Sequence, residues 1–526
     1  MTSLPAETAT DACAAGKASV ERGDLDGAAG HFLRATVLDP QSALAHRDLG
    51  AVEFLRSHFL DAEAAYREAL RLNPAIRSAH LNLATILTFT GRREAAVAHL
   101  RDLVARNGDA PDLFSSYLFT LVHSSHLSRE AVFAEHVRYG ESLAARLPAT
   151  GPNDNAPDPE RRLRLGYVSA DVGQHILALM LEPLLRAHDR GRFEVFLYDN
   201  AGATEQRALP RPCVDHWVEV NGLDDAAFAE RVRADGIDVL VDLAGHTTGN
   251  RLPTFARKPA PVQVSWLGYP GTTGLRAIDY RICDARQVGP GTASLLVETP
   301  FIVPGASVAF APPDEPAPAP PPSVANGHVT FGSVNGLDKV DDVVLAVWAE
   351  VLRAVPTSRF LMKARGLHDA RLREHLSEQF AGHGIAPERL VFEGASGIRG
   401  FLESFSRIDI ALDTFPYTGG STTRYTLWMG VPLVTLEGVA LYERFSGAML
   451  QEMGLPELVA ADPAAYVAAA AALAGDPAGL AGLRRDLRPR MRASALYDVA
   501  GQTRRLEDAY REMWRRWCGS PHRQEP

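Results

Sequence analysis

The part of the chain best suited to binding a phosphorylated ligand lies near residue 420. An apolar segment ends at Asp413, a glycine pair ends at Gly420, and the hydroxyl residues Ser421, Thr422 and Thr423 follow directly. A strand, a glycine turn and a helix that begins with hydroxyl side chains bring free backbone N–H groups to the positive end of the helix dipole. The pattern predicts a diphosphate seat; the alternative is an ordinary serine and threonine cap after a glycine turn.

Three further side chains could act on such a ligand, and each follows a predicted strand. Lys339 lies at a strand-to-helix turn of the same region, where an ammonium group could neutralise a departing diphosphate. His175 and His246 follow two strands of an earlier region, where an imidazole could face a crevice. Each also has a simpler interpretation, a solvated lysine or a structural histidine. The residues alone therefore predict an enzyme with a phosphate-bearing ligand, without naming its reaction.

Strands that alternate with helices surround these residues and predict two parallel, doubly wound sheets. The predicted strands are 163–169, 193–198, 237–243 and 262–266 in the first region, and 329–335, 359–363, 390–392, 408–413 and 432–436 in the second. Seven prolines between positions 312 and 322 separate the two regions and indicate a stiff connector. Such lobes place a ligand at the carboxyl ends of the strands, in the crevice between them.

The N-terminal part of the chain repeats every 34 residues, at Ala28, Ala62 and Ala96. Two copies also share a small residue, an aromatic, an alanine and a proline in register: Gly16, Phe32, Ala35 and Pro40, and Gly50, Tyr66, Ala69 and Pro74. This pattern is typical of tetratricopeptide repeats, in which small residues let paired helices approach closely. About three repeats form a short arm, which favours a protein or peptide partner. Whether the arm also forms an oligomer stays open.

The predicted organisation has five parts. They are tetratricopeptide repeats at 1–110, a helical bridge at 111–160, an N-terminal Rossmann-like catalytic lobe at 161–311, a proline-rich linker at 312–324 and a C-terminal Rossmann-like lobe, the one with the predicted diphosphate seat, at 325–526. The fold class is therefore α/β with an all-α N-terminal part.

Size and composition limit the kind of protein further. The chain has 526 residues, 46% of them hydrophobic and 22% charged, as expected for a soluble protein of several domains. The net charge of −10 argues against a general nucleic-acid binder, because phosphate neutralisation needs a basic face. Four widely spaced cysteines without a CxxC pair predict a cytoplasmic protein. The chain has no signal-peptide pattern and no run of about 18 apolar residues, so we expect no membrane span.

Several longer segments, in order along nearly the whole chain, resemble the SPINDLY and O-linked N-acetylglucosamine transferase family. They are 163–171, 243–251, 259–274, 279–282, the region of Lys339, 412–417 and 428–432. The resemblance implies a tetratricopeptide arm followed by a GT-B catalytic region of two Rossmann-like lobes. It also implies inverting sugar transfer to Ser or Thr hydroxyls of proteins, without a metal or other cofactor. The implied donor is a nucleotide sugar, most simply UDP-N-acetylglucosamine (UDP-GlcNAc).

The resemblance also assigns roles to single residues. His175 matches a histidine beside the donor sugar and the acceptor, and Lys339 matches a lysine on the donor diphosphate. Ser421 and Thr422 match hydroxyls at the start of a helix that hold this diphosphate. The other expected donor-side residues are Gly420, Thr423, Asn335, Phe401 and Tyr425, and the expected acceptor or sugar side has His246, Tyr269, Pro270, Gly271 and Thr272.

Four positions depart from the family pattern. Phe401 stands where a histidine is usual, and Tyr425 where an Asp or Glu is usual. Gly336 replaces a Gln or Asn, and Leu179 replaces a second histidine. The diphosphate seat is thus kept while the nucleoside seat is altered. GDP-fucose or another UDP-hexose therefore remains an alternative donor, a glycan or small molecule an alternative acceptor, and a decayed scaffold protein an alternative function.

Overall fold

The computed structural model describes residues 7–149, 151–173, 175–202, 207–305 and 312–520. In these ranges, eight helices precede two separate parallel sheets with their surrounding helices. The predicted fold class, α/β with an all-α N-terminal part, is confirmed. The domain limits predicted at residues 1, 311 and 526 lie outside the described residues.

Six helices form the repeat arm, and two more connect it to the first sheet. The arm consists of α1 (Ala9–Glu21), α2 (Leu25–Leu38), α3 (Ala43–Leu55), α4 (Phe59–Leu72), α5 (Arg77–Phe89) and α6 (Arg93–Arg106), followed by α7 (Pro111–Leu121) and α8 (Arg129–Arg146). Each arm helix packs against the next. The repeated small residues allow this close packing: a Cβ atom at Gly50 would lie 3.0 Å from the Tyr66 ring. Ala28, Ala62 and Ala96 are fully buried.

The first sheet has seven strands, and its described strand pairs are all parallel. They are β1 (Leu163–Ser169), β2 (Phe193–Asp199), β3 (His216–Glu219), β4 (Val239–Asp242), β5 (Val262–Ser265), β6 (Tyr280–Cys283) and β7 (Thr299–Ile302), with helices α9 (Ile176–Ala187), α10 (Asp225–Ala234) and α11 (Leu252–Ala256). The order β3-β2-β1-β4-β5-β6-β7 reverses between β1 and β4. Sequence analysis missed β3, β6 and β7; each has four residues, and both edge strands, β3 and β7, have exposed ends.

The second sheet has the same design with six strands, in the order β10-β9-β8-β11-β12-β13. They are β8 (Thr330–Ser333), β9 (Arg359–Lys363), β10 (Leu390–Glu393), β11 (Ile410–Leu412), β12 (Leu433–Leu436) and β13 (Val459–Ala460). The helices are α12 (Ser323–Asn326), α13 (Asp342–Ala354), α14 (Ala370–Gly382), α15 (Ile398–Ser404), α16 (Ser421–Trp428), α17 (Phe445–Glu452), α18 (Pro463–Gly475), α19 (Pro477–Ala493) and α20 (Val499–Cys518). This order reverses between β8 and β11.

The last helix corrects one predicted boundary, because α20 packs against α9 and β5 of the first sheet. The hydroxyl groups of Tyr510 and Tyr167 are 3.3 Å apart, and the indole N–H of Trp514 donates to the carbonyl oxygen of Asp158 at 2.9 Å. The predicted C-terminal lobe at 325–526 therefore ends before α20, which crosses back to the first lobe. A helix of this kind ties the two lobes together.

The proline-rich segment 312–324 packs along the second lobe. The indole N–H of Trp428 donates to the carbonyl oxygen of Pro313 at 2.8 Å. Arg488 donates to the carbonyl oxygen of Pro316 at 3.0 Å. Because the prolines offer carbonyl oxygens and no N–H groups, they bind such donors outside a sheet.

The N-terminal helices contact both lobes. A Cβ atom at Gly140 of α8 would lie 1.8 Å from the carbonyl oxygen of Gly274, so only glycine allows this approach to the first lobe. On the second lobe, Arg365 donates to the hydroxyl of Ser57 at 2.8 Å. Within the described ranges no single helix has both the length and the apolar composition of a membrane span; α18 and α19 have them only as a pair, bent by 98°.

Candidate active site

The reversals in strand order place four predicted residues at corresponding points of the two lobes. His175 and His246 follow β1 and β4, at which the first sheet reverses. Lys339 and Ser421 follow β8 and β11, the corresponding strands of the second sheet. Ligands of doubly wound sheets bind at such points, because the neighbouring loops diverge there and leave a crevice. The topology alone therefore singles out these four positions.

A cavity of about 220 Å³ lies between the two lobes at these crevices. Predicted residues that line it are His175 and Pro270 of the first lobe and Lys339, Gly420 and Ser421 of the second. The structure thus brings residues that are far apart in sequence into one site. The mixed lining of cations, hydroxyls and apolar side chains suits a phosphorylated ligand of small size.

Lys339 supplies a positive charge to the cavity on the side of the second lobe, where the buried Arg424 also lines it. Its ammonium donates to the carbonyl oxygen of Thr418 at 3.0 Å and lies 4.4 Å from the centroid of the Tyr417 ring. Burial lowers the pKa of Lys339 below its ordinary value, although the carboxylates of Asp338 and Asp413 oppose the shift. A poorly solvated ammonium interacts strongly with an anion that enters the cavity.

Lys339 is one of very few lysines in the chain. The chain has only four lysines among its 54 basic residues, the others being arginines. Lys17 is exposed on the arm, Lys258 pairs with Asp279 at 2.5 Å, and Lys363 lies 3.4 Å from a carboxylate oxygen of Glu393. Lys339 is the one that lines the cavity between the lobes.

The loop before α16 forms the predicted diphosphate seat, and a buried carboxylate fixes it. Asp413 accepts hydrogen bonds from the backbone N–H of Gly419 at 2.9 Å and from the hydroxyl of Thr435 at 2.8 Å. Gly420 and Ser421 then line the cavity at the start of the helix. Open space surrounds the position of a Cβ atom at Gly420. The first N–H groups of α16 are thus directed to where an anion can bind.

The two threonines of this helix start have different surroundings. Thr423 is fully buried, and its hydroxyl lies 2.7 Å from that of Ser446. Thr422 is half-buried and its carbonyl oxygen accepts from the hydroxyl of Thr426. Neither lines the cavity, whereas Ser421 does. Thr423 therefore stabilises the loop and does not touch the ligand space.

His175 begins helix α9, and its exposed side chain borders the cavity. Its Nδ1 accepts the backbone N–H of Leu177 at 3.3 Å, and lies 3.9 Å from the Asp171 carboxylate. Because Nδ1 accepts, the neutral ring carries its proton on Nε2. His175 therefore offers a hydrogen-bond donor to the ligand in this conformation.

A larger groove of about 1350 Å³ runs between helices α5–α8 and the first lobe. It shares His175, Gly268 and Tyr417 with the smaller cavity, so the two spaces meet at these residues. The groove has about six times the volume of the cavity, so it suits a peptide segment and the cavity a more compact group. The geometry thus provides two binding spaces with one common point.

The sequence of the two lobes matches a known family. A sequence model of glycosyl transferase family 41 matches residues 114–294 and 323–506, which together make up more than half of the chain. The chain belongs to this family. The resemblance to SPINDLY and O-linked N-acetylglucosamine transferases, stated above on short segments, is confirmed.

Curated relatives of this family 41 chain carry the names of sugar transferases. The "probable UDP-N-acetylglucosamine–peptide N-acetylglucosaminyltransferase SPINDLY" of Solanum lycopersicum is 37% identical over 396 residues, which cover 74% of this chain and 42% of the relative. The protein of the same name from Arabidopsis thaliana is 36% identical over 403 residues, with 74% and 43% covered. The chain thus spans less than half the length of these relatives.

One solved structure is similar to this chain over nearly its whole length. A lysine-to-methionine mutant of Thermobaculum terrenum O-GlcNAc transferase is 35% identical and superposes with a TM-score of 0.88, covering 98% of this chain and 99% of the other. The predicted architecture of repeat arm and GT-B catalytic region is therefore confirmed.

The predicted acceptor-side residues of the family 41 chain separate into lining and supporting groups. Pro270 lines the cavity and His246 lines the groove. The ring nitrogens of His246 lie 3.1 Å from the Ser115 hydroxyl and 3.1 Å from the carbonyl oxygen of Thr273. Burial holds the pKa of His246 well below its ordinary value, so the ring is neutral. It supports the wall of the groove.

The other three acceptor-side residues shape the loop between β5 and β6. The Tyr269 hydroxyl lies 2.7 Å from Nε2 of His136, and the Thr272 hydroxyl donates to Glu298 at 2.6 Å. Gly271 and Thr272 line a separate, small cavity against α8. The structure does not bring these three to the shared point at His175.

Three predicted donor-side residues, Phe401, Tyr425 and Asn335, lie outside the lining of the cavity. Phe401 and Tyr425 contact each other edge to face, with centroids 5.5 Å apart. Tyr425 is buried, which raises the pKa of its phenol. Asn335 is buried and donates to Asp413 at 3.3 Å. Binding of a nucleoside by these residues stays a prediction.

Arg281 and Tyr417 are among the lining residues of this family 41 site that the sequence analysis missed. Arg281 of β6 is buried, donates to the Ser265 hydroxyl at 2.8 Å and also donates to the carbonyl oxygen of Tyr269. Tyr417 forms the floor on which the Lys339 ammonium rests. Both residues lie in segments on which the family resemblance rests, 279–282 and 412–417, but neither was singled out, because Arg281 lies in a strand of only four residues and Tyr417 in a loop.

Proposed function

We propose that the chain transfers N-acetylglucosamine from UDP-GlcNAc to Ser or Thr hydroxyls of proteins. One observation carries the proposal: a cavity with Lys339 and the start of α16 meets a peptide-sized groove at His175. We assign the diphosphate and the sugar of the donor to the first space and the acceptor to the second, so that the hydroxyl and the sugar meet at the shared residues. Family membership and the names of the relatives support the donor and the acceptor class.

The site residues support an inverting displacement. The acceptor oxygen bonds to the anomeric carbon as the bond from that carbon to the diphosphate oxygen breaks. Lys339 and the N–H groups at Ser421 stabilise the negative charge that develops on the leaving diphosphate. The hydroxyl proton passes to the departing phosphate or to water. His175 donates from Nε2 and orients a substrate oxygen, because its Nδ1 is occupied by the backbone of α9.

No step of this displacement uses a metal or a further cofactor, since Lys339 and the helix start supply the positive charge. The repeat arm lies at one end of the groove, and we propose that it holds the acceptor protein there. A donor with another base or sugar, such as GDP-fucose, is the second candidate. It is favoured by the apolar contact of Phe401 with Tyr425, where polar residues are usual in the family.

Thermal stabilisation by a ligand panel tests the donor. The panel is UDP, GDP, UDP-GlcNAc, UDP-glucose and GDP-fucose, each measured on the wild type, on Lys339→Met and on the exposed control Lys17→Met. A ligand at a hundredfold excess over its Kd adds about 2.7 kcal/mol of stability. We expect stabilisation by UDP and UDP-GlcNAc that is lost in Lys339→Met and kept in Lys17→Met. A response to guanine nucleotides alone would favour the second candidate, and no response would point to a decayed site.

Transfer itself is tested with radiolabelled UDP-GlcNAc and a protein extract as acceptor. Label that enters proteins and is released by alkaline β-elimination indicates a sugar on Ser or Thr. Label that enters only small molecules would contradict the proposed acceptor.

A further inference from the structure

Arg93 of α6 extends from the repeat arm into the second lobe, beside Lys339. Its side chain is 1% exposed, and Nη1 lies 3.0 Å from the Asp341 carboxylate and donates to the carbonyl oxygen of His123 at 2.9 Å. Nη2 donates to the carbonyl oxygen of Asp338, the residue before Lys339. One buried guanidinium thus connects the turn that carries Lys339 to two parts of the N-terminal helices.

His123, which follows α7, contacts the same lysine through Tyr417. The rings of His123 and Tyr417 are parallel within 2°, with centroids 4.2 Å apart, and the ammonium of Lys339 lies over the Tyr417 ring. Burial, together with the charges of Arg93 and Lys339, holds the pKa of His123 well below its ordinary value. The stacked imidazole is therefore neutral and does not repel the ammonium.

We propose that Arg93 and His123 are positioning residues for Lys339, which makes the repeat arm a part of the donor site. Arg93 fixes the backbone before the lysine, and His123 fixes the ring on which its ammonium rests. The claim that Lys339 contacts a diphosphate rests on the proposed function. The placement of the lysine is a property of the chain alone and can be measured without a nucleotide.

A second ion pair between the arm and the same lobe provides a comparison. Arg371 of α14 and Asp61 of α4 are 2.5 Å apart, and both are more than half exposed. Neither lines the cavity. Surface pairs of this kind contribute little, whereas a buried arginine is costly unless each of its partners is in place. Arg93 therefore constrains the turn before Lys339, and Arg371 only joins two surfaces.

Trace acetylation with acetic anhydride measures the placement of the lysine directly. With four lysines in the chain, mass spectrometry follows each one separately. The test variant is Arg93→Met with Asp341→Asn, which removes both buried charges and keeps an oxygen at 341 to cap α13. We expect Lys339 to react at least about threefold faster in this variant, because the reagent gains access to its amine when the turn before it is no longer held in place. Lys258 and Lys363 should keep their rates and serve as internal standards.

Further variants distinguish the positioning of Lys339 from a general loss of stability. The matched control Arg371→Met with Asp61→Asn removes the other arm–lobe pair, and we expect no change at Lys339. His123→Ala should accelerate Lys339, and His123→Phe, which restores a stacking ring, should return the rate to within about twofold of the wild type. An unchanged Lys339 rate in the Arg93 variant, or an equal acceleration of Lys258 and Lys363, would overturn the inference.

Binding of UDP gives a second, independent readout. The Arg93→Met and Asp341→Asn changes should weaken UDP about tenfold when Lys339 is present and less than about twofold in a Lys339→Met background. Equal weakening in both backgrounds contradicts a role through the lysine. A wild-type chain that binds no UDP would refute the proposed donor, and the acetylation rates would then decide this inference alone.

Discussion

Lys339 concentrates the chemistry of the proposed reaction in one side chain. We predict that Lys339→Met lowers kcat about a hundredfold to a thousandfold, because it removes one preorganised positive group from the leaving diphosphate. Methionine fills the same volume without a buried charge, so the melting temperature should stay close to that of the wild type. Initial rates of sugar transfer and a thermal melt check both statements, with Lys17→Met as control. A loss of less than about threefold would place the charge stabilisation elsewhere.

The burial of Lys339 also predicts a pH dependence. Its pKa is lowered from the ordinary 10.5, so the ammonium loses its proton at a lower pH than an exposed lysine does. Under the proposed function UDP binds the charged form of Lys339, so the affinity for UDP should fall as pH rises through the lowered pKa. Calorimetric titrations from about pH 7.5 to 10 should show a larger fall in the wild type than in Lys339→Met, in which Arg424, whose pKa burial lowers to about 9, still lines the cavity. A fall of equal size in both proteins would assign the titration to another group.

At the scale of elements, a buried aspartate lies just beyond each end of β11, and we expect the two aspartates to differ in their effect on ligand binding. Asp413 at the carboxyl end holds the loop before α16, and Asp409 at the amino end accepts the backbone N–H of Thr330 at 2.8 Å. We predict that Asp413→Asn and Asp409→Asn each lower the free energy of unfolding by about 1–3 kcal/mol, because a buried N–H or O–H loses its acceptor. UDP affinity should fall in Asp413→Asn alone. Urea unfolding measures the stability and calorimetry the affinity for UDP. An affinity that falls in both variants would contradict a specific role of the carboxyl end of β11 in binding UDP.

Most elements could be predicted because their signals are local. The strand 163–169 is a buried apolar run, and the repeat shows itself by alanines 34 residues apart. The short edge strand β3 carries polar residues at both ends, and the short edge strand β7 contains Pro300, which argues against a strand in a sequence. Thr423 was expected to bind the diphosphate because it starts a helix, yet its hydroxyl lies against Ser446. The direction in which a side chain points depends on tertiary packing, which has no local signature in the sequence.

At the scale of the whole molecule, the unpredicted features are contacts between distant parts of the chain. The return of α20 to the first lobe joins residues more than 300 positions apart, such as Tyr510 and Tyr167. The groove exists only because α5–α8 dock beside the first lobe. Arg93 and Asp341 are 248 positions apart, and no sequence pattern relates them. The contact between the arm and the turn before Lys339 could therefore not be predicted from the sequence. The site as a whole is thus assembled from three separately recognisable parts.

This assembly predicts that the arm has two separable functions. Helices α1 and α2 pack on each other and on α3, whereas the described hydrogen bonds to the second lobe begin at Phe54 and Ser57. Removal of residues 1–41 should therefore leave UDP affinity within about twofold of the wild type and reduce transfer to proteins. Removal of residues 1–107 also takes Arg93 away, so both should fall. Calorimetry and protein labelling on the two truncated chains measure this. If the longer deletion kept full UDP affinity, the arm would serve the acceptor alone, and the two lobes would position Lys339 without it.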